Sequence, residues 1–198
     1  MATRRRTAVA EPCIALLRGV NVGGNKKVPM AQLRVLAQRL GWSRVATWLQ
    51  SGNLVFVGDG DPARDEAQLE QAIELHFGFA VPVLVRTATA WRAAAARCPF
   101  AAAAAARPKL VHLGCAKRQP AAGAAQALLP YCTDGERVAI RGEAIWIDYA
   151  HGVARSKLTP AVLDRVVGST VTLRNMTTVA AIGDLLTAAA AAGGTPPG

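Results

Sequence analysis

Residues 16–30 read LLRGVNVGGNKKVPM, and this stretch decides the fold of the first half of the chain. An apolar run, residues 13–17, ends in a loop rich in glycine and lysine, and Pro29 then leads into a helix. A continuous apolar run is typical of a strand buried on both faces, and proline is favoured at a helix start. The order of strand, polar loop and helix places a potential binding loop at the end of a buried strand.

The rest of the first half completes a pattern of strands and helices in the order βαββαβ. A tight turn at Ser51 and Gly52 is expected between the two middle strands. Asp61 as N-cap and Pro62 as first helical residue predict the second helix, and Pro82 places the last strand at a sheet edge. The predicted strands are residues 13–17, 45–50, 54–57 and 81–85.

The second half repeats this order of elements, with Thr159 capping a helix that Pro160 begins. Its predicted strands are residues 109–115, 137–141, 144–149 and 171–173, and its first predicted helix is residues 121–129. We therefore predict an α+β protein of two tandem ferredoxin-like (βαββαβ) subdomains with antiparallel sheets and a C-terminal helix. The expected boundaries are a disordered basic tail (1–11), the first subdomain (12–87), a linker with a short helix (88–108), the second subdomain with the C-terminal helix (109–192) and a disordered tail (193–198).

Charge is distributed unevenly along the chain, which carries 23 Lys and Arg against 13 Asp and Glu, a net charge of +10. Residues 12–58 and 77–133 contain no acidic residue, whereas residues 59–74 contain six. Acid-free blocks of this kind predict electropositive surfaces that attract phosphate-bearing partners. The alternative is that the excess of arginine and alanine reflects a GC-rich genome.

The cysteines show neither C-x-x-C spacing nor paired histidines, so we expect reduced thiols, with no zinc site and no disulfide. They are Cys13, Cys98, Cys115 and Cys132. Arg4, Arg5 and Arg6 resemble the basic end of a signal peptide, but Glu11 and Pro12 interrupt the apolar segment that would have to follow. No stretch approaches the roughly 20 apolar residues of a membrane span, so a cytoplasmic location without a membrane partner is expected.

Several motifs resemble a known family over nearly the whole chain beyond the first tail. They are ALLRGVNVGG (15–24), VPM (28–30), QSGN (50–53), FGF (77–79), VPVLVR (81–86), RSKLT (155–159) and RN (174–175). Together they resemble the bacterial family of unknown function DUF1697. The resemblance implies two ferredoxin-like halves and no established activity. Met176 and Ala154 depart from the family pattern, in which tryptophan and glycine are expected.

The first candidate site combines the glycine-lysine loop with the following turn. The first and second strands of a ferredoxin-like unit run parallel, so the loop and the turn should lie at one sheet edge beside a helix N-terminus, which favours anions. Gly19 and Gly24 have the spacing of a P-loop, but Asn25 stands where lysine belongs. The alternative is a tight loop that its own polar residues cap. The candidate ligand-binding residues are Arg18, Asn21, Gly23, Gly24, Lys27, Gln50, Ser51 and Asn53.

A second candidate site lies in the second half, where basic residues are expected to meet at the start of the helix after Thr159. Its residues are Arg155, Ser156, Lys157, Arg174 and Asn175. The alternative is packing between the halves, with Arg155 and Arg174 bonded to carbonyls or paired with Asp148 or Asp164.

These patterns favour a protein that binds a small anionic or phosphate-bearing ligand. A second hypothesis is a hydrolase or transferase that acts on such a ligand in a cleft between the subdomains. A third is a nucleic-acid-binding module, although Trp48 and Phe56 are expected in the core rather than on an exposed sheet face. No catalytic residue, cofactor or metal is assigned, and the oligomeric state is not predicted.

Overall fold

The computed structural model describes residues 11–24 and 26–192. Of the two predicted tails, only Glu11 lies within this described part, and residues 1–10 and 193–198 lie outside it. The strands are β1 (Pro12–Leu17), β2 (Ser43–Trp48), β3 (Asn53–Val57), β4 (Val83–Thr87), β5 (Val111–Ala116), β6 (Arg137–Arg141), β7 (Ala144–Asp148) and β8 (Val171–Asn175). The helices are α1 (Met30–Arg39), α2 (Pro62–Phe77), α3 (Ala88–Ala96), α4 (Ala101–Ala106), α5 (Ala124–Leu128), α6 (Pro160–Val167) and α7 (Met176–Ala191).

The strands form two four-stranded sheets with the same arrangement. The strand order is β2-β3-β1-β4 in the first sheet and β6-β7-β5-β8 in the second, and all neighbouring strands are antiparallel. Because β1 and β2 are both antiparallel to β3, they run in the same direction and end at the same sheet edge. The predicted α+β class with antiparallel sheets and a C-terminal helix is therefore confirmed.

Helix ends follow the predicted capping chemistry. The Asp61 carboxylate accepts hydrogen bonds from two amides of the first turn of α2, and the Thr159 hydroxyl accepts one from Val162 in α6. Gly41, which follows α1, has a left-handed φ of 83°. The apolar face of α1, including Leu33, packs on the first sheet. These local signals correctly marked the starts of α2 and α6.

Some predicted boundaries were wrong. The turn between β2 and β3 has four residues, 49–52, instead of two, because Leu49 adopts a positive φ of 56° and ends β2 early. Pro82 lies just before β4, which is an edge strand as expected. The helix predicted for residues 121–129 is shortened to α5 and followed by a 3₁₀ turn, Leu129–Tyr131.

Two glutamates of α2 protect the exposed edge of β4. Glu66 Oε1 accepts a hydrogen bond of 2.8 Å from the Val85 amide, and Glu70 Oε1 accepts one of 2.8 Å from the Val83 amide. An edge strand otherwise presents unpaired amides to other chains. These two carboxylates thus satisfy amides of β4 that have no neighbouring strand to bond to.

The chain divides into two compact units, each with one sheet. The expected linker, residues 88–108, contains α3 and α4, as the high helix propensity of alanine favours. The last part of α7 groups with the first unit, where Arg44 Nη1 donates to the Ala189 carbonyl at 2.6 Å. The first unit extends to Ala90 and resumes at Ile182, and the second is Trp91–Ala181.

Asp65, in the first turns of α2, is a buried carboxyl group beneath Gly58. Neither of its oxygens has a hydrogen-bond partner among the described residues, and its side chain is fully buried. Burial, together with the nearby Asp59 and Asp61 carboxylates, raises the pKa of Asp65 from 3.8 to about 7. The folded protein therefore retains a proton on this group over a pH range in which the unfolded chain has lost it.

Replacing Asp65 with asparagine should stabilise the protein at pH 8 more than at pH 5. Between about pH 4 and 7 the wild-type free energy of unfolding falls as pH rises, because the folded state binds the extra proton, and above pH 7 this contribution stays constant. At about 1.4 kcal/mol per pKa unit the contribution of Asp65 changes by at most about 4 kcal/mol over the whole range, and about 3 kcal/mol of that change falls between pH 5 and pH 8. Urea unfolding of Asp65→Asn and of the exposed control Asp184→Asn at both pH values tests this. A loss of stability of equal size at both pH values would contradict it.

Candidate anion-binding site

Three loops of the first unit meet at the sheet edge where β1 and β2 end. The Leu17 amide donates to the Gly52 carbonyl at 2.8 Å, and the Arg18 amide donates to the Pro82 carbonyl at 2.9 Å. These bonds place residues 18–24 and 26–28 beside the turn 49–52 and the segment before β4. We call this surface the loop edge; it consists of residues 18–24, 26–28, 49–52 and 78–82.

Asn21 holds the loop to the turn through its side chain. Its Nδ2 donates to the Gln50 carbonyl at 2.7 Å and to the Val28 carbonyl at 3.0 Å, while its Oδ1 accepts from the Val28 amide at 2.9 Å. Asn21 adopts a left-handed φ of 56°, which asparagine tolerates better than most residues. The amide group of Asn21 is thus used within the protein, and its role at this edge is to position the loop.

Asn53 and Ser51 stabilise the turn from within. Asn53 is buried, and its Nδ2 donates to the Trp48 carbonyl at 2.8 Å and to Ser51 Oγ at 3.0 Å. The Trp48 bond closes the four-residue turn in which Leu49 has its unusual φ. Of the predicted polar groups, Asn21 and Asn53 therefore shape the loop edge.

Other predicted residues lie on the outside of the loop edge. Gly23 and Gly24 have positive φ and open space where a Cβ would stand, so their backbone is accessible to a ligand. Lys27, Gln50 and Ser51 are exposed. Arg18 is half-buried.

The same edge carries the start of α1 and a second lysine. The N-cap of α1, Pro29, makes no side-chain capping bond, so the first amides of the helix lack a capping side chain. Lys26 Nζ donates to the Ala80 carbonyl at 2.8 Å and ties the loop to the segment before β4. The loop edge thus combines backbone donors with positive charge.

Trp48 is exposed, contrary to the expectation that it belongs to the core. It ends the edge strand β2, and 39% of its surface is accessible, whereas Phe56 is fully buried. The sequence pattern failed here because an edge strand has one side without a neighbouring strand. Val22 and Leu49, which belong to the loop edge, are 68% and 57% exposed.

The second predicted site is not assembled as expected, because its side chains bond in different places. Ser156 Oγ donates to Glu136 Oε1 at 2.5 Å and accepts from the Leu158 amide at 3.2 Å. Arg155 and Lys157 are exposed in the same loop. The serine hydroxyl thus joins this loop to the start of β6.

Arg174 and Asn175 are engaged at the end of β8. Arg174 Nη1 donates to Thr172 Oγ1 at 2.9 Å and to the Leu173 carbonyl at 2.8 Å, and burial lowers the pKa of Arg174 to about 10. Asn175 Oδ1 accepts from the Thr178 amide at 2.9 Å and caps α7. These contacts do not direct either side chain towards Ser156.

The two units repeat the same pair of backbone bonds, which identifies a basic pair that sequence reasoning missed. The bonds are Leu17 N to Gly52 O and Arg18 N to Pro82 O in the first unit, and Ala116 N to Glu143 O and Lys117 N to Thr170 O in the second. Lys117 and Arg118 therefore occupy the place of the glycine-lysine loop. The order βαββαβ could have revealed this, since both loops follow the first strand of a unit. The loop with Arg155 and Lys157 follows the third strand and belongs to the opposite edge.

Residues 11–24 and 26–192 contain no cluster of three or more His, Cys, Asp or Glu side chains that could hold a metal ion. All four cysteines are free thiols. Within the same residues, no helix is long and apolar enough to cross a membrane.

Replacing Gly52 with alanine should destabilise the protein and loosen the loop edge. A Cβ at this position would lie 2.6 Å from Leu17 Cβ and 2.8 Å from Val20 Cγ2, and the φ of 73° is unfavourable for alanine. We expect a loss of roughly 2 kcal/mol or more in the free energy of unfolding. Gly24→Ala, which has a similar φ but open space, is the matched control and should cost less. Equal losses, measured by urea unfolding, would contradict the close packing of Gly52.

Comparison with known proteins agrees with this architecture. The structure of conserved bacterial protein SP0830 from Streptococcus pneumoniae is similar, with a TM-score of 0.63 and 22% sequence identity, over 88% of this chain and 98% of that one. At this identity the likeness concerns the fold alone. No curated protein matches this chain.

The sequence profile of the family described as "Protein of unknown function (DUF1697)" matches residues 11–146. This match spans the loop edge, the whole first sheet and, in the second sheet, β5, β6 and part of β7. The chain belongs to the DUF1697 family.

Proposed function

We propose that the first unit binds a small phosphate-bearing ligand at the loop edge. The observation that carries this proposal is the Asn21 side chain, which holds the loop against the turn with three hydrogen bonds while Gly23 and Gly24 remain open to approach. A loop whose shape is fixed before binding loses little conformational entropy when a ligand arrives. The arrangement suits recognition by backbone amides.

The charge of the loop edge supports an anionic ligand. None of the three loops that form the loop edge contains an acidic residue, and together these loops carry Arg18, Lys26 and Lys27. The uncapped start of α1 adds a partial positive charge at the same edge. Phosphate accepts charge-assisted hydrogen bonds from lysine and from backbone amides.

We assign different roles to the predicted residues of this edge. Gly23, Gly24, Lys27, Gln50 and Ser51 present groups that a ligand can contact. Asn21 and Asn53 position those groups, as their hydrogen bonds within the protein indicate.

Binding without turnover is the better supported form of this proposal. The enzyme hypothesis named no catalytic residue, and the Ser156 hydroxyl of the second predicted site is bonded to Glu136 and to the backbone of its own loop. A serine nucleophile requires an adjacent general base that a third group orients. The hydrogen bonds of Ser156 are instead those of a residue that holds its own loop in place.

We also assign each unit to the ferredoxin-like fold. Each has the element order βαββαβ, and the strand orders β2-β3-β1-β4 and β6-β7-β5-β8 support this assignment. In such a unit the loop after the first strand and the turn after the second share one edge, as the hydrogen bond from Leu17 to Gly52 requires.

Replacing Lys27 with glutamine should weaken phosphate binding about tenfold, which corresponds to about 1.4 kcal/mol. The matched control is Lys157→Gln, which removes the same charge from the other predicted site. Titration calorimetry with inorganic pyrophosphate at low ionic strength measures both. A similar loss in the two variants would mean that net charge alone attracts the anion, and no binding by the wild type would contradict the proposal.

A further inference from the structure

We propose that the second unit has a phosphate-binding site of its own, formed by the guanidinium groups of Arg107 and Arg137. The site lies at the edge of the second sheet where β6 begins and β7 ends, and neither arginine was among the residues predicted from the sequence. It goes beyond the proposed function and does not depend on it, because its ligand binds in the second unit.

A buried carboxylate brings the two arginines together. Arg107 Nη2 donates to Asp148 Oδ2 at 2.8 Å, and Arg137 donates to the same oxygen through Nη2 at 2.7 Å and through Nε at 3.2 Å. The two Nη2 atoms are therefore at most about 5.5 Å apart, the length of the two bonds end to end. One oxyanion can bridge such a distance, because each charge-assisted hydrogen bond to it is about 2.8 Å long.

The sheet register and the end of α4 place these side chains. Arg137 in β6 lies directly opposite Asp148 in β7, so both side chains project from the same face of the sheet. Arg107 follows α4, where its amide donates to the Ala103 carbonyl at 2.8 Å and its carbonyl accepts from the Leu110 amide at 3.0 Å. The backbone of this unit thus fixes the positions from which both arginines reach Asp148.

Each guanidinium has a second contact that restrains it. Arg107 Nη1 donates to the Ala150 carbonyl at 3.1 Å, and the Arg137 guanidinium lies over the ring of Phe100, 4.7 Å from its centroid. A guanidinium over an aromatic ring uses its flat face, which leaves the N–H groups in its plane available to other partners. Because both groups are restrained before a ligand arrives, binding costs little conformational entropy.

The pairing exceeds what Asp148 alone requires. Its side chain is 1% exposed, and one arginine is enough to balance its charge. Both arginines nevertheless bond to Oδ2, while Oδ1 is buried without a hydrogen-bond partner among the described residues. The pair therefore keeps one positive charge in excess, and the carboxylate holds the two guanidinium groups side by side.

The arginine pair is open to solvent. The side chain of Arg107 is 36% exposed and that of Arg137 is 55% exposed. A guanidinium carries five N–H groups, and each arginine uses only some of them within the described part of the chain. A ligand can therefore approach both groups and accept hydrogen bonds from them.

The acidic residues that precede β6 are bonded to other groups. Glu136 is buried, and its carboxylate accepts hydrogen bonds from the Asp134 amide and from the Ser156 hydroxyl. The Asp134 carboxylate lies 3.3 Å from His151 Nδ1. Of the acidic side chains at this edge, Asp148 is thus the one that bonds to the arginine pair.

Two guanidinium groups side by side favour a phosphate over a carboxylate. The two coplanar oxygens of a carboxylate are satisfied by one guanidinium fork. A phosphate group presents at least three acceptor oxygens in different directions. Two arginines that come from separate segments of the chain therefore suit a tetrahedral anion, and we assign the ligand to the class of phosphate and phosphate monoesters.

NMR of the arginine Nε–H groups tests the site directly, because each arginine gives its own signal. Inorganic phosphate should shift the Arg107 and Arg137 signals saturably. Arg137→Gln should weaken phosphate binding, followed at Arg107, by about tenfold or more, and it should fold because Arg107 still balances Asp148. Arg141→Gln, which removes the same charge from the other end of β6, is the matched control and should leave the affinity unchanged.

Asp148→Asn should change the affinity in the opposite direction. Asparagine keeps an acceptor oxygen for the two arginines but removes the negative charge beside the ligand, so phosphate should bind several-fold more tightly. The signals of Arg107 and Arg137 measure this change as well. Weaker binding in a folded Asp148→Asn variant would contradict an excess charge that the carboxylate only partly balances.

The remaining arms separate the ligand and the site from their alternatives. Phosphate that shifts neither arginine signal, or that binds Arg137→Gln as tightly as the wild type, overturns the proposal, and so does acetate that binds as tightly as phosphate. Glycerol 3-phosphate and a peptide with one phosphoserine present the same group on a free ester and on a protein, and the tighter of the two identifies the source. Shifts that persist in Lys27→Gln show that this site works without the loop edge, whereas shifts that vanish there overturn its independence.

Discussion

The hydrogen bonds of the Asn21 side chain are the interaction on which the loop edge depends. One amide group satisfies the Val28 amide and carbonyl across the loop and also the Gln50 carbonyl of the neighbouring turn. Without it, a glycine-rich loop would have many conformations of similar energy. The polar chemistry of the loop is therefore divided between residues that fix its shape and residues that face outward. Under the proposed function, the ligand would meet a loop whose shape is already fixed.

Local signals predicted the elements well, because their causes lie within a few residues. Asp61 with Pro62 and Thr159 with Pro160 mark helix starts through bonds that each residue makes to its own first turn. The order of the elements also predicted that the glycine-lysine loop and the turn between β2 and β3 lie close together. The exposure of Trp48 could not be derived in this way, since it depends on which strand forms the sheet edge. Hydrophobicity alone predicts that a tryptophan side chain is buried in the core.

The division of roles among the candidate residues was equally beyond a sequence argument. Asparagine in a loop is compatible both with ligand contact and with internal bonding, and only the geometry of Asn21 and Asn53 separates the two. Topology also separates the two basic loops that were predicted as sites. The loop with Lys27 follows the first strand of its unit, whereas the loop with Lys157 follows the third, so they belong to opposite edges of equivalent sheets.

The acidic residues of the first unit explain why its loop edge stays positive. Glu66 and Glu70 accept the edge amides of β4, and Asp61 caps α2. Asp59 pairs with Arg64 at 2.8 Å, near the buried carboxyl group of Asp65, whose raised pKa reduces its negative charge at neutral pH. These acids follow β3, at the end of the sheet opposite the loop edge, or lie along α2. Because these acids have structural tasks elsewhere in the unit, the loops that carry Arg18, Lys26 and Lys27 contain no acidic residue of their own.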